Sequence, residues 1–354
     1  MIKKIKLNNF RNFKSKEVEF SDGITLIQGQ NASGKTNILE SLYLLSTGKS
    51  FKARVEEEMV NHDKDICRVS GIALNQNSEE TNLEIMITRG LIDIGGERPE
   101  KAPRKKLQVN GIPRRMIDFA GNFRTVLFGP WDLDLVTESP SIRRKFLDNV
   151  LSQVDREYRR SILSYEKGLR QRNRILWDMR EGNVGRDRLL FWNQLLIKNG
   201  NYITDKREEF INFINELKFE INGLKLSISY DKSIISEGRL EHYKNEEVAS
   251  ATTLVGPHRD DFVFYKGERN LSSFGSRGEQ RMGVLWLKMA ELSFIEAGSG
   301  ERPTLLLDDI FSELDDEHKK VVMEVAQKQQ TIITSVDDEF GKGLKKTTKI
   351  DLMS

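Results

Sequence analysis

Apolar and polar positions fall into three textures along the chain. In the first, the period is two. Val18 and Phe20 alternate with Glu17 and Glu19, a turn at Gly23 follows, and Ile24-Thr-Leu-Ile-Gln28 reads as a buried strand. A Gly-rich turn and a helix over about 35–45 come next. Strands are then predicted at Val69–Leu74, Leu83–Thr88, Lys106–Val109 and Arg124–Phe128, and Asn110-Gly111 is a strong hairpin signal. Ile2 to Gln28 reads as strands, although Ile2, Ile5 and Leu7 are spaced loosely for one sheet face. The second texture, Ser141 to about Leu217, is helical and rich in Arg, and the segment Gly182 to Gly185 breaks it in two. Heptads are not sustained over the three or four repeats of a coiled coil. In the third, Leu224, Leu226, Ile228 and Tyr230 alternate after Gly223. A helix over 277–297, a strand at Thr304–Leu307, a helix over 316–328 and a strand at Thr331–Thr334 close the pattern. Strand, helix, strand of this kind belongs to parallel α/β folds. The expected fold is therefore an α/β head made from both ends of the chain, 1–130 and 252–354, with a mainly helical domain, 131–251, inserted between them.

Composition narrows the classes. A net charge of +2 with 31% charged residues is ordinary for a globular protein, so any nucleic-acid surface must come from local segregation of charge. The single cysteine, Cys67, excludes an internal disulfide framework and a Cys-rich metal site, and the four histidines are scattered. No stretch approaches the roughly 20 apolar residues of a membrane span. The N-terminus has no apolar run of signal-peptide length. The expectation is a cytoplasmic protein with no membrane partner.

Chemistry concentrates at two motifs. Gly29-Gln30-Asn31-Ala32-Ser33-Gly34-Lys35-Thr36 follows an apolar strand and opens a helix, the context that confirms a P-loop. Its glycines let backbone N–H groups point at phosphate oxygens, and the helix N-terminus adds positive partial charge. Lys35 supplies a cation to the β and γ phosphates of ATP, and Thr36 a hydroxyl to Mg²⁺. Thr304-Leu-Leu-Leu-Asp308-Asp309 reads as a Walker B strand. Asp308 is expected to hold the Mg²⁺ shell with Thr36, and Asp309 to orient or deprotonate the attacking water.

Phe274-Gly275-Ser276-Arg277-Gly278-Glu279-Gln280-Arg281 resembles an ABC signature motif, and Ser312-Glu313-Leu314-Asp315 a D-loop. With the two Walker motifs far apart, the chain resembles the ABC-type ATPase heads of the SMC group. The insert is too short for their coiled coil, which points to the RecF family. Asn9-Phe10-Arg11-Asn12-Phe13, Thr47-Gly48-Lys49-Ser50-Phe51-Lys52, the stretch Ser139 to Asp148 and Gly256-Pro257-His258-Arg259-Asp260-Asp261 are similar to strings of that family. The resemblance spans residue 1 to about 336. It implies a DNA-binding protein of repair, replication and the SOS response, closed by ATP into a homodimer. It also implies gapped, single- and double-stranded DNA as ligands, mediators similar to RecR and RecO, and a role in loading recombinase. Ser276 and Gly278 would face the γ-phosphate bound to the other copy, and Arg11 and Asn12 would lie near the phosphates. Two departures stand out: the strand at 331–336 lacks the switch histidine, for which Thr334 or Ser335 is a partial substitute. No Q-loop glutamine stands near 128–135, where Gly129-Pro130-Trp131-Asp132-Leu133 occurs. Weak, slow hydrolysis is expected from both.

Basic clusters lie at 98–115, with Arg98, Lys105 and Lys106, and in the helical insert, with Arg143, Arg144, Arg170, Arg172 and Arg174. Lys49, Lys52 and Arg54 form a smaller one. Lys52, Arg54, Lys105 and Lys106 are the expected DNA contacts, by phosphate neutralisation without sequence reading. An ABC transporter ATPase subunit and a non-hydrolysing, ATP-dependent scaffold are the competing readings.

Overall fold

The structure is a computed structural model that describes residues 1–92, 100–217, 225–312, 314–336 and 347–352. It divides into two compact units, one of residues 1–132 with 295–354, the other of residues 133–294. The expected second boundary at 251/252 thus moves to 294/295. The reason is a strand pairing: Asp261–Lys266 lies antiparallel to Leu226–Asp231, which carries 252–294 into the helical unit.

The first unit holds two sheets. One is antiparallel, in the order Phe13–Glu19, Ile2–Phe10, Ile66–Leu74, Glu80–Thr88, Lys105–Val109, Ile112–Arg114. The other is parallel, in the order Thr125–Phe128, Thr304–Asp308, Thr331–Ser335, Ile24–Gln28, Thr347–Asp351. Strand Ile24–Gln28 is buried at every position, as strands covered on both faces are. Helix Lys35–Thr47 is buried nearly all round and shares one core with residues of both sheets, among them Ile5, Leu7, Ile85, Leu306 and Ile332. The loose spacing of Ile2, Ile5 and Leu7 has a local cause: the register against Ile66–Leu74 shifts between Ile2 and Lys4, so all three turn inward. Asn110 and Gly111 both take positive φ, 52° and 76°, between the paired Val109 and Ile112, as a two-residue hairpin turn requires. Buried Gln330 ties the sheets together. Its side chain accepts from the Ile2 N–H at 2.7 Å and donates to the carbonyls of Ile2 at 2.6 Å and Ser21 at 2.9 Å.

The edge strand Thr347–Asp351 has no counterpart in the sequence reading. Its positions are half-buried or exposed and its one paired edge is Ile24–Gln28, so it carries no apolar run to betray it.

The second unit is built on the helices Pro140–Val154, Arg156–Arg180 and Leu190–Glu216, with a three-stranded antiparallel sheet. Asp155 caps the second helix, accepting from the N–H groups of Glu157 at 2.8 Å and Tyr158 at 3.0 Å. The chain leaves that helix through Gly182, at φ 77°, and re-enters helix by a 3₁₀ turn at Arg186–Leu189.

Candidate functional site

The phosphate loop is set by its neighbours in space as much as by its own glycines. Gly34 caps helix Lys35–Thr47 at φ 105°, and a β-carbon there would lie 2.5 Å from the Phe13 ring and 2.8 Å from the Asn12 amide. Only glycine satisfies both conditions. Lys35 arches back over the loop and donates to the carbonyls of Gly29 at 2.6 Å and Gln30 at 3.0 Å. The buried hydroxyl of Ser33 has no hydrogen-bond partner among the described residues. A cation held inside the loop, an orphaned hydroxyl and a helix N-terminus together fit a polyphosphate.

The end of the Walker B strand closes the site from the side. Thr36 Oγ1 donates to Asp308 Oδ1 at 3.1 Å across 272 residues of sequence. Thr334 Oγ1 donates to the same oxygen at 2.7 Å and accepts from the Asp309 N–H at 3.0 Å. Thr334, which the sequence raised as a partial substitute for the switch histidine, therefore joins the Asp308 carboxylate to the backbone amide of Asp309. Asp309 itself stands at φ 50°, a left-handed conformation that its short polar side chain tolerates and that strain at working sites favours. A magnesium ion fits this donor set, since a hard cation takes a hydroxyl and one carboxylate and completes its shell with phosphate oxygens and water.

An open cleft of about 470 Å³ lies over these groups, lined by Asn12, Asn31, Lys35, Asp308, Asp309 and Trp131, with Lys52 at its margin. Asn12 donates to the Ser33 carbonyl at 3.2 Å and so touches the loop directly. Arg11 does not line the cleft. Its guanidinium grips buried Glu40 in a fork at 2.8 and 2.6 Å and donates to the Glu58 carbonyl at 2.6 Å. The fork ties Arg11 to helix Lys35–Thr47, and the Glu58 bond ties it to the segment after that helix. Trp131 went unassigned in the sequence. Its indole stacks on Phe51 with centroids 5.1 Å apart and folds over Gly129, whose β-carbon would lie 2.5 Å from the ring. The Gly-Pro-Trp order was the available signal: no other residue at 129 leaves room for the ring.

The signature segment lies in the second unit. Ser276 and Glu279 form a reciprocal cap: the Ser276 N–H donates to the carboxylate at 2.9 Å and the Glu279 N–H to the Ser276 hydroxyl at 3.2 Å. A hydrogen bond from Lys266, at 2.5 Å, and the Ser276 amide hold the Glu279 carboxyl down at about 2. The exposed Ser276 hydroxyl donates to no group among the described residues. Gly278 is exposed in the first helical turn, and a β-carbon there would meet nothing closer than 3.9 Å. Nothing within the described chain demands a glycine at that place, although glycine costs a helix about 1 kcal/mol. Phe274, next to the segment, is 76% exposed.

The family-like strings of the second unit meet in its interior. Arg143 forks onto Asp261 at 2.6 and 2.9 Å, and Arg207 reaches Asp148 at 2.8 Å, Asp260 at 2.9 Å and the Pro257 carbonyl at 2.7 Å. They hold that unit together. Of the expected DNA contacts, Lys52 and Arg54 are exposed. Lys105 and Lys106 point to opposite faces of their strand, so Lys105 is drawn into an ion pair with Glu56 while Lys106 stays exposed. Arg98, Glu313 and Leu224 lie outside the described residues.

A phosphate loop and a Walker B strand in one parallel sheet, their strands separated by Thr331–Ser335, with a signature helix in a separate helical unit, define an ABC-type P-loop ATPase head. The RecF/RecN/SMC N terminal domain family matches residues 1–353. The DNA replication and repair protein RecF of Herpetosiphon aurantiacus is 35% identical over 364 residues, 96% of this chain and 94% of that one. Two solved structures of the recombination mediator protein RecF, described as RecF-ATPrS and RecF-ATP in the RecFOR pathway, align with TM-scores of 0.86 and 0.85 at 33% and 32% identity. They cover 99% and 97% of this chain, and it covers 96% and 93% of theirs. The chain belongs to the RecF family.

Proposed function

We propose that this chain is an ATP- and magnesium-dependent DNA-binding protein of recombinational repair and replication-fork maintenance, acting as a dimer closed by ATP. Its relatives are described as DNA replication and repair proteins and as a recombination mediator bound to ATP in the RecFOR pathway, which supports mediators of the RecR and RecO kind as partners. The nucleotide half of the reading rests on the phosphate loop. Lys35 would exchange its loop carbonyls for the β and γ phosphate oxygens, and the orphaned Ser33 hydroxyl would gain an acceptor. Thr36 and Asp308 would hold Mg²⁺, which supplies neutralisation of phosphate charge. Asp309, its backbone fixed by Thr334, would position water for slow hydrolysis.

The dimer half rests on Gly278. A glycine that no neighbour within the described chain requires, exposed beside an exposed serine hydroxyl at a helix N-terminus, leaves room for an anion brought by another molecule. The ATP of a second copy fits that place, and loss of its γ-phosphate would reopen the pair.

The test is fluorescence anisotropy of a labelled gapped DNA titrated with the chain under ATP, ADP and no nucleotide. ATP is expected to tighten binding about tenfold or more, within the usual range of coupling energies. Lys35→Ala and Ser276→Arg should each abolish that tightening, the first by removing the phosphate cation and the second by filling the space that a partner's phosphate needs. DNA binding that ignores nucleotide in the wild type would sink the link between ATP and DNA.

A further inference from the structure

The Arg-rich helix Arg156–Arg180 sorts its charges by face. Arg172 is turned inward, where it meets Glu247 at 2.6 Å and Thr253 at 2.8 Å. On the outer side, Arg156, Arg160, Leu163, Lys167, Arg170, Arg174 and Trp177 are all exposed. At about 100° per residue these positions fall within roughly 60° of one line, and from Arg156 to Arg174 they run about 27 Å along the axis. Of the acids in this helix, Glu157 and Glu166 are turned about 80–100° away from it, and Asp178 lies beyond the cations at its far end, one turn after Arg174. Arg160 has only a half-exposed partner, Glu157 at 3.5 Å, a pair that water and salt exchange readily. Arg156 has a partner of its own. Lys167, Arg170 and Arg174 make no ion pair or hydrogen bond among the described residues.

The buried arginines of the unit are by contrast each neutralised: Arg143 on Asp261, Arg172 on Glu247, Arg207 on Asp148 and Asp260. We infer that the outer face of helix Arg156–Arg180, centred on Lys167, Arg170 and Arg174, lies along the phosphate backbone of DNA. The inference rests on the DNA-binding reading above and names the surface that carries it. Five cations over about 27 Å run past several phosphates of a duplex, which are spaced about 3.4 Å per strand along its axis. Guanidinium groups fork onto phosphate oxygens, and backbone contact of this kind reads no sequence. A membrane surface fits less well. The apolar side of this helix, with Tyr158, Tyr165 and Leu176, is buried in the unit, and the outer face shows only Leu163 and Trp177 among its cations, too little apolar surface to lie in a bilayer interface.

The experiment is the salt dependence of binding to a labelled duplex for the wild type, for Lys167→Ala/Arg170→Ala/Arg174→Ala, and for the charge-keeping Lys167→Arg/Arg170→Lys/Arg174→Lys. Each lost phosphate contact lowers the steepness of log K against log salt by about 0.9. The alanine variant should therefore be shallower by about two to three, weaker by roughly 10- to 100-fold near 0.15 M salt, and unchanged in its melting curve. The charge-keeping variant should retain most of the slope. An alanine variant that keeps the wild-type slope overturns the placement on this face while leaving DNA binding itself intact. A wild type that binds ATP but no duplex overturns the DNA reading, and this surface with it.

Discussion

The nucleotide cleft of the first unit and the interior of the second handle charge in opposite ways. In the first, Lys35, Asp308 and Asp309 are gathered around an open cleft, and several of their contacts are ones a ligand would replace: an ammonium resting on loop carbonyls, a hydroxyl with no partner, a carboxylate shared by two threonines. In the second, the buried charges are complete. Arg207 spends its donors on Asp148, Asp260, Tyr158 and the Pro257 carbonyl, and Asp260 accepts in addition from the Ser233 N–H and the Tyr230 hydroxyl. A buried charge whose every partner comes from the chain is structure. A charge whose partners are weak or interchangeable, facing a cleft, is poised for a ligand.

The largest effect should come from breaking a complete network. Arg207→Met leaves Asp148 and Asp260 uncompensated, at a cost of about 3–5 kcal/mol. For a unit of this size that lowers the melting midpoint by about 10 °C, read by calorimetry. A variant that melts like the wild type would remove the distinction between the two kinds of charge.

Next is His258, in the same interior. Burial pushes its pKa down from 6.5 to about 4, and the neighbouring Arg259 and Arg144 act in the same direction, against Asp260 and a hydrogen bond with the Thr253 carbonyl. Its Nδ1 lies 2.8 Å from the Tyr165 hydroxyl. The folded chain thus keeps His258 neutral where the unfolded chain is protonated. Between pH 6.5 and about 4 the unfolded state binds more protons, so stability falls as pH falls through that window, by up to ~3 kcal/mol. Denaturant titrations at stepwise pH should show this slope, and His258→Gln should flatten it. An equal slope in the variant would assign the acid sensitivity elsewhere.

The smallest effect sharpens the other side of the comparison. Thr334→Val deletes the hydroxyl that joins the Asp308 carboxylate to the Asp309 amide, at about 1–2 kcal/mol. Single-turnover ATP hydrolysis should drop about tenfold while ATP affinity moves less than about threefold. Lost affinity with unchanged turnover would make Thr334 a binding residue only.

Legibility in the sequence followed the distance between partners. The phosphate loop was readable because its chemistry is local: a strand, two glycines, a lysine and a helix start fit in about a dozen residues, and the glycines specify backbone shapes that need no distant help. The Walker B strand was readable from its apolar run, and the α/β head from the alternation of periods. The edge strand Thr347–Asp351 and the boundary at 294/295 were not, because each depends on which strand a segment pairs with. Charge was the least readable property. Arg11 was expected at a phosphate and closes on Glu40, Lys105 was expected on DNA and closes on Glu56, and Arg172 stood in a basic cluster and closes on Glu247, 75 residues away. Sequence alone determined where the cations are along the chain and which backbone can cradle a phosphate. Tertiary structure decided which cations are neutralised, since that depends on the acid that folding brings to each one, and so left the outer face of one helix as the row of charge still to be met.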